Sequence, residues 1–261
     1  VLPPGPAFPL AFYVQAGAQA TLVVKARGLA SLTWAEDLRR SLPATGLEGL
    51  WLNLHPAAGR RLFARHGWQL LWGRPWSVDS SGLCYGPAAF QQLIPALYRQ
   101  ALDEAQAFLA PMAGDSLVDL YCGSGASLRR WTACHARTVG VELGGEAVAC
   151  ARRNAPAALV LRGKCGQRLP QLRAWISNAG RDERLLYANP PRTGIEPQVL
   201  EWITGDCRPQ RLAYLSCSAG TLGRDLRRLD AAGYRLAGIT PYDFFPQTHH
   251  VETLATLERM D

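Results

Sequence analysis

The chain has 261 residues, 48% of them hydrophobic and 19% charged, with a formal net charge of +7. That length holds one large domain or a large and a small one, and no uninterrupted apolar run reaches membrane-spanning length, which excludes a helical membrane protein. Apart from Lys25 and Lys164 the basic residues are arginines, whose planar guanidinium pairs with phosphate and stacks on bases, so a polyanionic partner, nucleic acid above all, is favoured over an arginine-biased composition.

The seven cysteines include no C-x-x-C pair. A disulfide framework, a zinc site and an iron–sulfur cluster are therefore not expected, and a reducing cytoplasm is. The start, Val1-Leu2-Pro3-Pro4-Gly5, lacks the basic segment of a secretory signal. It also lacks a methionine, which leaves a missing N-terminal segment open.

Strand-like apolar runs occur at Leu10–Val14, Ala20–Val24, Leu50–Leu54 and Gln69–Trp72, with an amphipathic piece, Trp34–Leu42, stopped by Pro43. These predict a small α+β domain over residues 1–81, with the boundary at the polar stretch Asp79-Ser80-Ser81-Gly82. From Ala88 to Leu109 the spacing of Phe90, Leu93, Ile94, Leu97, Ala101 and Ala105 is helical; Pro95 either starts this helix or kinks it.

Beyond Pro111, strand, glycine turn and helix alternate. Strands are predicted at Ser116–Tyr121, Thr138–Glu142, Ala158–Leu161, Arg184–Ala188 and Arg211–Ser216, and helices at Ser127–Ala133, Glu146–Ala155, Pro197–Ile203 and Thr221–Ala232. Such alternation implies an α/β fold with a mainly parallel, Rossmann-like sheet over residues 82–261. Tyr234–Tyr242 and Val251–Arg259 both read as strands with no helix between, so an antiparallel pair closes the sheet.

Ligands of such sheets sit beyond the carboxyl ends of the strands. The first of these strands ends in Tyr121-Cys122-Gly123-Ser124-Gly125, where Gly123 and Gly125 permit a sharp turn and a close approach to a ligand. The next ends in Glu142, whose carboxylate can accept hydrogen bonds from two ribose hydroxyls. A nucleoside-type cofactor follows; NAD stays open on these residues, although the full G-x-G-x-x-G is missing.

Two more strand ends are unusual. One continues as Asn189-Pro190-Pro191-Arg192-Thr193-Gly194, with Arg192 placed for phosphate or a base edge. The other continues as Ser216-Cys217-Ser218-Ala219-Gly220-Thr221, which puts Cys217 ahead of a helix N-terminus, where a thiol pKa is lowered. Near the end, Phe245-Pro246-Gln247-Thr248-His249-His250-Val251-Glu252 precedes the last strand; side chains of adjacent histidines on an extended segment point apart, so they do not share a metal.

Leu120–Gly125, Pro190–Gly194, Ser216–Leu222 and Phe245–Glu252 together resemble the RNA uracil-C5 methyltransferases, which make 5-methyluridine in transfer and 23S ribosomal RNA. The family's patterns are Leu-Tyr-Cys-Gly-x-Gly, Asp-Pro-Pro-Arg-x-Gly, Ser-Cys-Asn-Pro-x-Thr-Leu and Phe-Pro-x-Thr-x-His-x-Glu, in this order. The resemblance implies a class I methyltransferase domain and S-adenosylmethionine as cofactor, with Tyr121, Gly123, Gly125, Glu142 and Asn189 around it. It implies Cys217 as the nucleophile that adds to C6 of uracil, Glu252 as the base that removes the C5 proton, and Arg192 as a contact to RNA, either rRNA or tRNA. A monomer without membrane, metal or iron–sulfur cluster is expected.

The chain departs from the pattern mostly near the cofactor. Gly86 stands where the family has a cofactor-contacting Gln, Ala126 where it has a polar residue, Asn189 for the acid of Asp-Pro-Pro-Arg, and Ser218-Ala219 for Asn-Pro. After Ala158–Leu161, Gly163, Lys164 and Cys165 stand where an acidic or amide residue would meet adenine. A degenerate relative that grips RNA or a protein without turnover is thus the alternative. Methylation of a base amino group, suggested by Asn189-Pro190-Pro191, would lack its aromatic and leave Cys217 and Glu252 unused.

Overall fold

The computed structural model describes residues 10–29, 36, 40, 42–58, 62–88, 94–178, 183–248 and 250–260. It divides into two compact units, Val1–Ala89 and Phe90–Asp261.

In the first unit, β1 (Leu10–Ala16), β2 (Gln19–Val24), β3 (Gly49–Leu54) and β4 (Trp68–Gly73) form a sheet in that order. The β1–β2 hairpin turns through Gly17 at φ +57°, whereas β2 and β3 pair in parallel and need a crossover. The amphipathic piece predicted at Trp34–Leu42 lies almost wholly outside the described residues. Alternate residues of the strands, Ala20, Leu22 and Val24 on β2 with Leu50 and Leu52 on β3, bury one face together with Leu42 and Leu71. The polar stretch at residues 79–82 turns a short hairpin between β5 (Ser77–Val78) and β6 (Cys84–Tyr85), with Asp79 Oδ1 accepting from the Ser81 and Leu83 amides. The division between the two compact units falls after Ala89.

The second unit is a seven-stranded sheet covered on both faces. Its strands are β7 (Ser116–Leu120), β8 (Arg137–Glu142), β9 (Leu159–Arg162), β10 (Arg184–Ala188), β11 (Arg211–Ser216), β12 (Tyr234–Tyr242) and β13 (Glu252–Arg259), in the order β12-β13-β11-β10-β7-β8-β9. The strands β7 to β11 pair in parallel; β13 slots between β11 and β12, antiparallel to both. The sequence predicts the antiparallel strands but not this insertion, which has a chemical consequence described below.

Helices α1 (Pro95–Leu109), α2 (Ala126–Ala133) and α3 (Gly145–Asn154) bury Ala101, Leu102, Leu128, Trp131, Val148 and Ala151 against one face. Helices α4 (Leu169–Ser177), α5 (Pro197–Trp202) and α6 (Ala219–Ala231) cover the other with Leu172, Ile176, Val199, Leu200, Leu222 and Leu229. Pro95 opens α1 at a first-turn position, where its missing N–H costs nothing; the predicted stretch at 89–93 lies outside the described residues. Helix α4 is absent from the sequence reading, although Leu169, Leu172 and Ile176 recur at helical spacing. No helix among the described residues is long and apolar enough to cross a membrane.

Gly125, at the start of α2, has φ +87°, and a Cβ there would lie 2.8 Å from Ala151 Cα on α3. This glycine lets the start of α2 approach α3 closely. Gly125→Ala should destabilise the fold by about 1–3 kcal/mol through overpacking and a strained φ, read as a lower denaturation midpoint with unchanged m-value; an unshifted midpoint would contradict the packing seen here.

Candidate active site

Residues from the carboxyl ends of β7, β8, β10 and β11 and from the start of β13 build the site. At its cofactor side, Tyr121 and Gly123 adopt φ +61° and +55° in turning out of β7. The turn brings the Gly123 amide to Glu142 Oε2 at 3.1 Å, and the Gly144 amide donates to Oε1 at 2.6 Å. Both oxygens of a half-buried carboxylate are thereby oriented, with outward lone pairs left for further donors. A Cβ on Gly123 would meet nothing within 4 Å, so the loop is open above this glycine. An oriented acceptor pair beside an open glycine turn fits a ribose diol.

Tyr121 turns the other way: its ring packs against the core, and its hydroxyl lies 3.5 Å from the Glu196 amide. The Asn189 amide donates to the Leu120 carbonyl at 3.2 Å, which tucks the half-buried Asn189 against the end of β7. Asp119 points into the core, where its Oδ2 accepts from Trp131 Nε1 at 2.9 Å. Burial pushes its carboxyl up to about 7, a structural rather than ligand-facing acid.

The second half of the site follows from strand register. Strand β13 pairs antiparallel with β11 through Leu215↔Leu254 and Ser216↔Thr253. Cys217 directly follows the last residue of β11 in this ladder and Glu252 directly precedes Thr253, and the two are close enough for the Glu252 charge to act on the Cys217 thiol. Two residues 35 positions apart are so brought side by side (252 − 217 = 35).

Glu252 is only 3% exposed, and its Oε2 has no hydrogen-bond partner among the described residues. Burial raises its carboxyl to about 7, opposed by the positive charge of Arg192. The Cys217 thiol, half-buried, is also raised: burial contributes most, then the negative charge of Glu252, with Arg192 pulling it down. The position ahead of α6 leads one to expect a lowered thiol pKa. Desolvation and the neighbouring carboxylate outweigh it. Arg192, exposed itself, thus acts on both groups.

The loop carrying Arg192 is pinned by Thr221, the threonine of the Ser-Cys-Asn-Pro-x-Thr-Leu pattern, and by Arg224 and Asp225, which no motif marks. Thr221 Oγ1 donates to the Arg192 carbonyl at 3.2 Å and Arg224 Nη2 to the Thr193 carbonyl at 3.0 Å. Asp225, fully buried on α6, accepts from the Ile195 amide at 3.0 Å and from Tyr214 Oη at 2.8 Å. A buried carboxylate that anchors a loop is a signal only once the loop is in place. Among the described residues no group of three or more His, Cys, Asp or Glu side chains could hold a metal ion.

Residues 181–260, which contain Asn189, Arg192, Cys217 and Glu252, match the sequence profile of the tRNA (uracil-5-)-methyltransferases. The resemblance read from the motifs is borne out. An uncharacterized RNA methyltransferase of Thermosynechococcus vestitus is 34% identical over 218 residues, 81% of this chain and 47% of that protein. One of Gloeobacter violaceus is 41% identical over 152 residues, 56% of this chain and 31% of that protein. The chain thus spans at most about half the length of these curated relatives. Among solved structures, the Pyrococcus abyssi tRNA (uracil-54, C5)-methyltransferase in complex with S-adenosyl-L-homocysteine superposes with a TM-score of 0.64 at 21% identity, covering 92% of this chain and 56% of that one. This likeness shows the methyltransferase fold, the α/β class expected from the strand–helix alternation.

Proposed function

We propose that the chain is the catalytic part of an S-adenosylmethionine-dependent RNA methyltransferase that methylates C5 of a uridine. The observation that carries the reading is the proximity of Cys217, just after β11, to Glu252, the first residue of β13, with Arg192 acting on both. C5 of uracil is too weak a nucleophile for a sulfonium methyl group. A thiolate adding at C6 pushes the ring electrons to O4, and the resulting enolate attacks from C5. S-adenosylmethionine, held at Glu142 and the Gly123 turn, would supply the methyl.

Once C5 carries the methyl, its hydrogen must leave as a proton. The Glu252 carboxylate takes it, the C5–C6 double bond re-forms, and the Cys217 sulfur departs as thiolate. A carboxyl that titrates near 7 holds a proton long enough to be useful and releases it at neutral pH. Both faces of the base must be reached, so the target uridine is unstacked, in a loop or flipped from its helix. RNA, as rRNA or tRNA, is the partner; the enzyme works as a monomer in the cytoplasm.

Calorimetry with S-adenosylmethionine tests the first step. Binding should be measurable, and Glu142→Ala should weaken it about 10–100-fold, as expected for losing hydrogen bonds to a charged acceptor. Absence of binding at millimolar cofactor would leave the non-catalytic RNA- or protein-binding alternative standing.

A further inference from the structure

The segment 243–251 leaves the sheet and returns to it between the Cα partners Tyr242, last residue of β12, and Glu252, first of β13. These two form the neck of the loop, so the position of Glu252 is set from one side by the β11 ladder that begins at Thr253 and from the other by the neck. One side of the neck is fixed by a carboxylate from another element. Glu104, near the middle of α1, accepts from Tyr242 Oη at 2.6 Å and from Thr240 Oγ1 at 2.5 Å, one bond on each oxygen.

Aromatic packing reinforces the tie. After Tyr242 the chain bends sharply, with the Phe244 amide donating to the Tyr242 carbonyl at 3.0 Å. Phe244 is fully buried, edge-on to Tyr98 of α1 with centroids 6.4 Å apart and 6.0 Å from the Tyr242 ring. Burial and the Glu104 carboxylate both push the Tyr242 hydroxyl well up, so it keeps its proton and stays a donor. A two-bond carboxylate grip at the end of a strand is more than packing requires, since Tyr242 and Phe244 are already buried.

We propose that Glu104 is a positioning residue of the reacting centre, holding the end of β12 through Thr240 and Tyr242 so that Glu252 stays opposite Cys217. Its role runs through Thr240 and Tyr242, whose hydroxyls it holds, rather than through the reacting atoms. This inference rests on the reading of Glu252 as the base that resolves the Cys217 adduct.

The test uses the full chain with unmodified tRNA and 23S rRNA transcripts, S-adenosylmethionine and denaturing gels that retain the covalent RNA–protein adduct. Glu252→Gln is the reference, expected to accumulate adduct. Glu104→Ala should do the same to a smaller extent and lower kcat about tenfold or more, since small misplacements of a reacting group are costly. KM for RNA and affinity for S-adenosylmethionine should stay within about twofold, as the role of Glu104 runs through Thr240 and Tyr242. Glu104→Gln, which can still accept from one donor, should recover most of kcat. Tyr242→Phe removes one of the two bonds and serves if Glu104→Ala does not fold; it should accumulate adduct likewise. Slower turnover without adduct, or equal losses in cofactor binding and kcat, would overturn the proposal in favour of a plain structural role. If Glu252→Gln itself accumulates no adduct, the base reading falls first and the positioning role with it.

Discussion

Cys217→Ala should lower methyl transfer to RNA by about 10⁴-fold or more, the scale seen when a covalent nucleophile is removed. The same substitution should abolish the adduct formed with RNA that carries 5-fluorouridine, in which fluorine at C5 cannot leave as a proton and the C6–sulfur bond is trapped. S-adenosylmethionine affinity should be unchanged, because the proposed role of the thiol is toward the base and that of Glu142 toward the cofactor. An undiminished adduct in Cys217→Ala would remove Cys217 from its role. The electrostatics add a sign to this prediction. The thiol is held up by burial and by Glu252, and pulled down by Arg192. Alkylation of Cys217 in Arg192→Ala should therefore need a higher pH than in the parent, and in Glu252→Gln a lower one. A carboxylate and a thiolate this close ionise against each other, which leaves Arg192 to favour the negative charge wherever it sits.

Much of this arrangement was legible from the sequence, for a physical reason. Strand ends and helix starts of a doubly wound sheet are marked by local rules: glycines where φ is positive, proline in a first turn, apolar residues at fixed spacing. The ends at Glu142, Ala188 and Ser216 follow from them, and so do most helices on the two faces. Register between distant strands is not a local property. Nothing in the residues from 234 to 259 says that β13 enters between β12 and β11, and without that insertion Cys217 and Glu252 have no reason to meet. The resemblance to a family supplied the pair; the sheet supplies the cause. The thiol's environment was misjudged for a related reason. A helix N-terminus can be read from sequence, whereas the desolvation and the opposing carboxylate that outweigh it are created by the fold. Helix α4 was missed for a plainer one: only Leu169, Leu172 and Ile176 are buried in its nine residues, a thin apolar stripe. The packing of Gly125 against Ala151 is a third case, since nothing local to a turn glycine shows that another helix comes close.

Glu252→Gln carries the other large effect, and its pH dependence has a definite direction. In its proposed role as base Glu252 works in its ionised form, so resolution of the proposed adduct should accelerate as pH rises through about 7 and level off above. A carboxyl at its ordinary value would show this limb near 4.5 instead. Removing Arg192 takes away the charge that opposes burial, and the limb should move to higher pH in Arg192→Ala. In Glu252→Gln the limb should vanish: the first methylation proceeds, the C5 proton has no acceptor, and the methylated adduct persists, with turnover about 10²–10⁴-fold down. Pre-formed adduct followed by quenched-flow and gel separation at several pH values measures the decay directly, apart from the thiolate-dependent step that forms it. The same raised pKa has a cost in stability. Burial stabilises the protonated carboxyl over the ionised one, so this contribution is full below the unfolded value of about 4.5 and is lost as pH rises through about 7. At neutral pH the fold therefore carries a buried carboxylate that it would be more stable without, and Glu252→Gln should raise the melting temperature at pH 8 more than at pH 5. A variant that gains stability while losing the ability to resolve its adduct is the expected behaviour of a group kept for its chemistry; equal stability changes at the two pH values would mean that Glu252 is not held above its ordinary pKa.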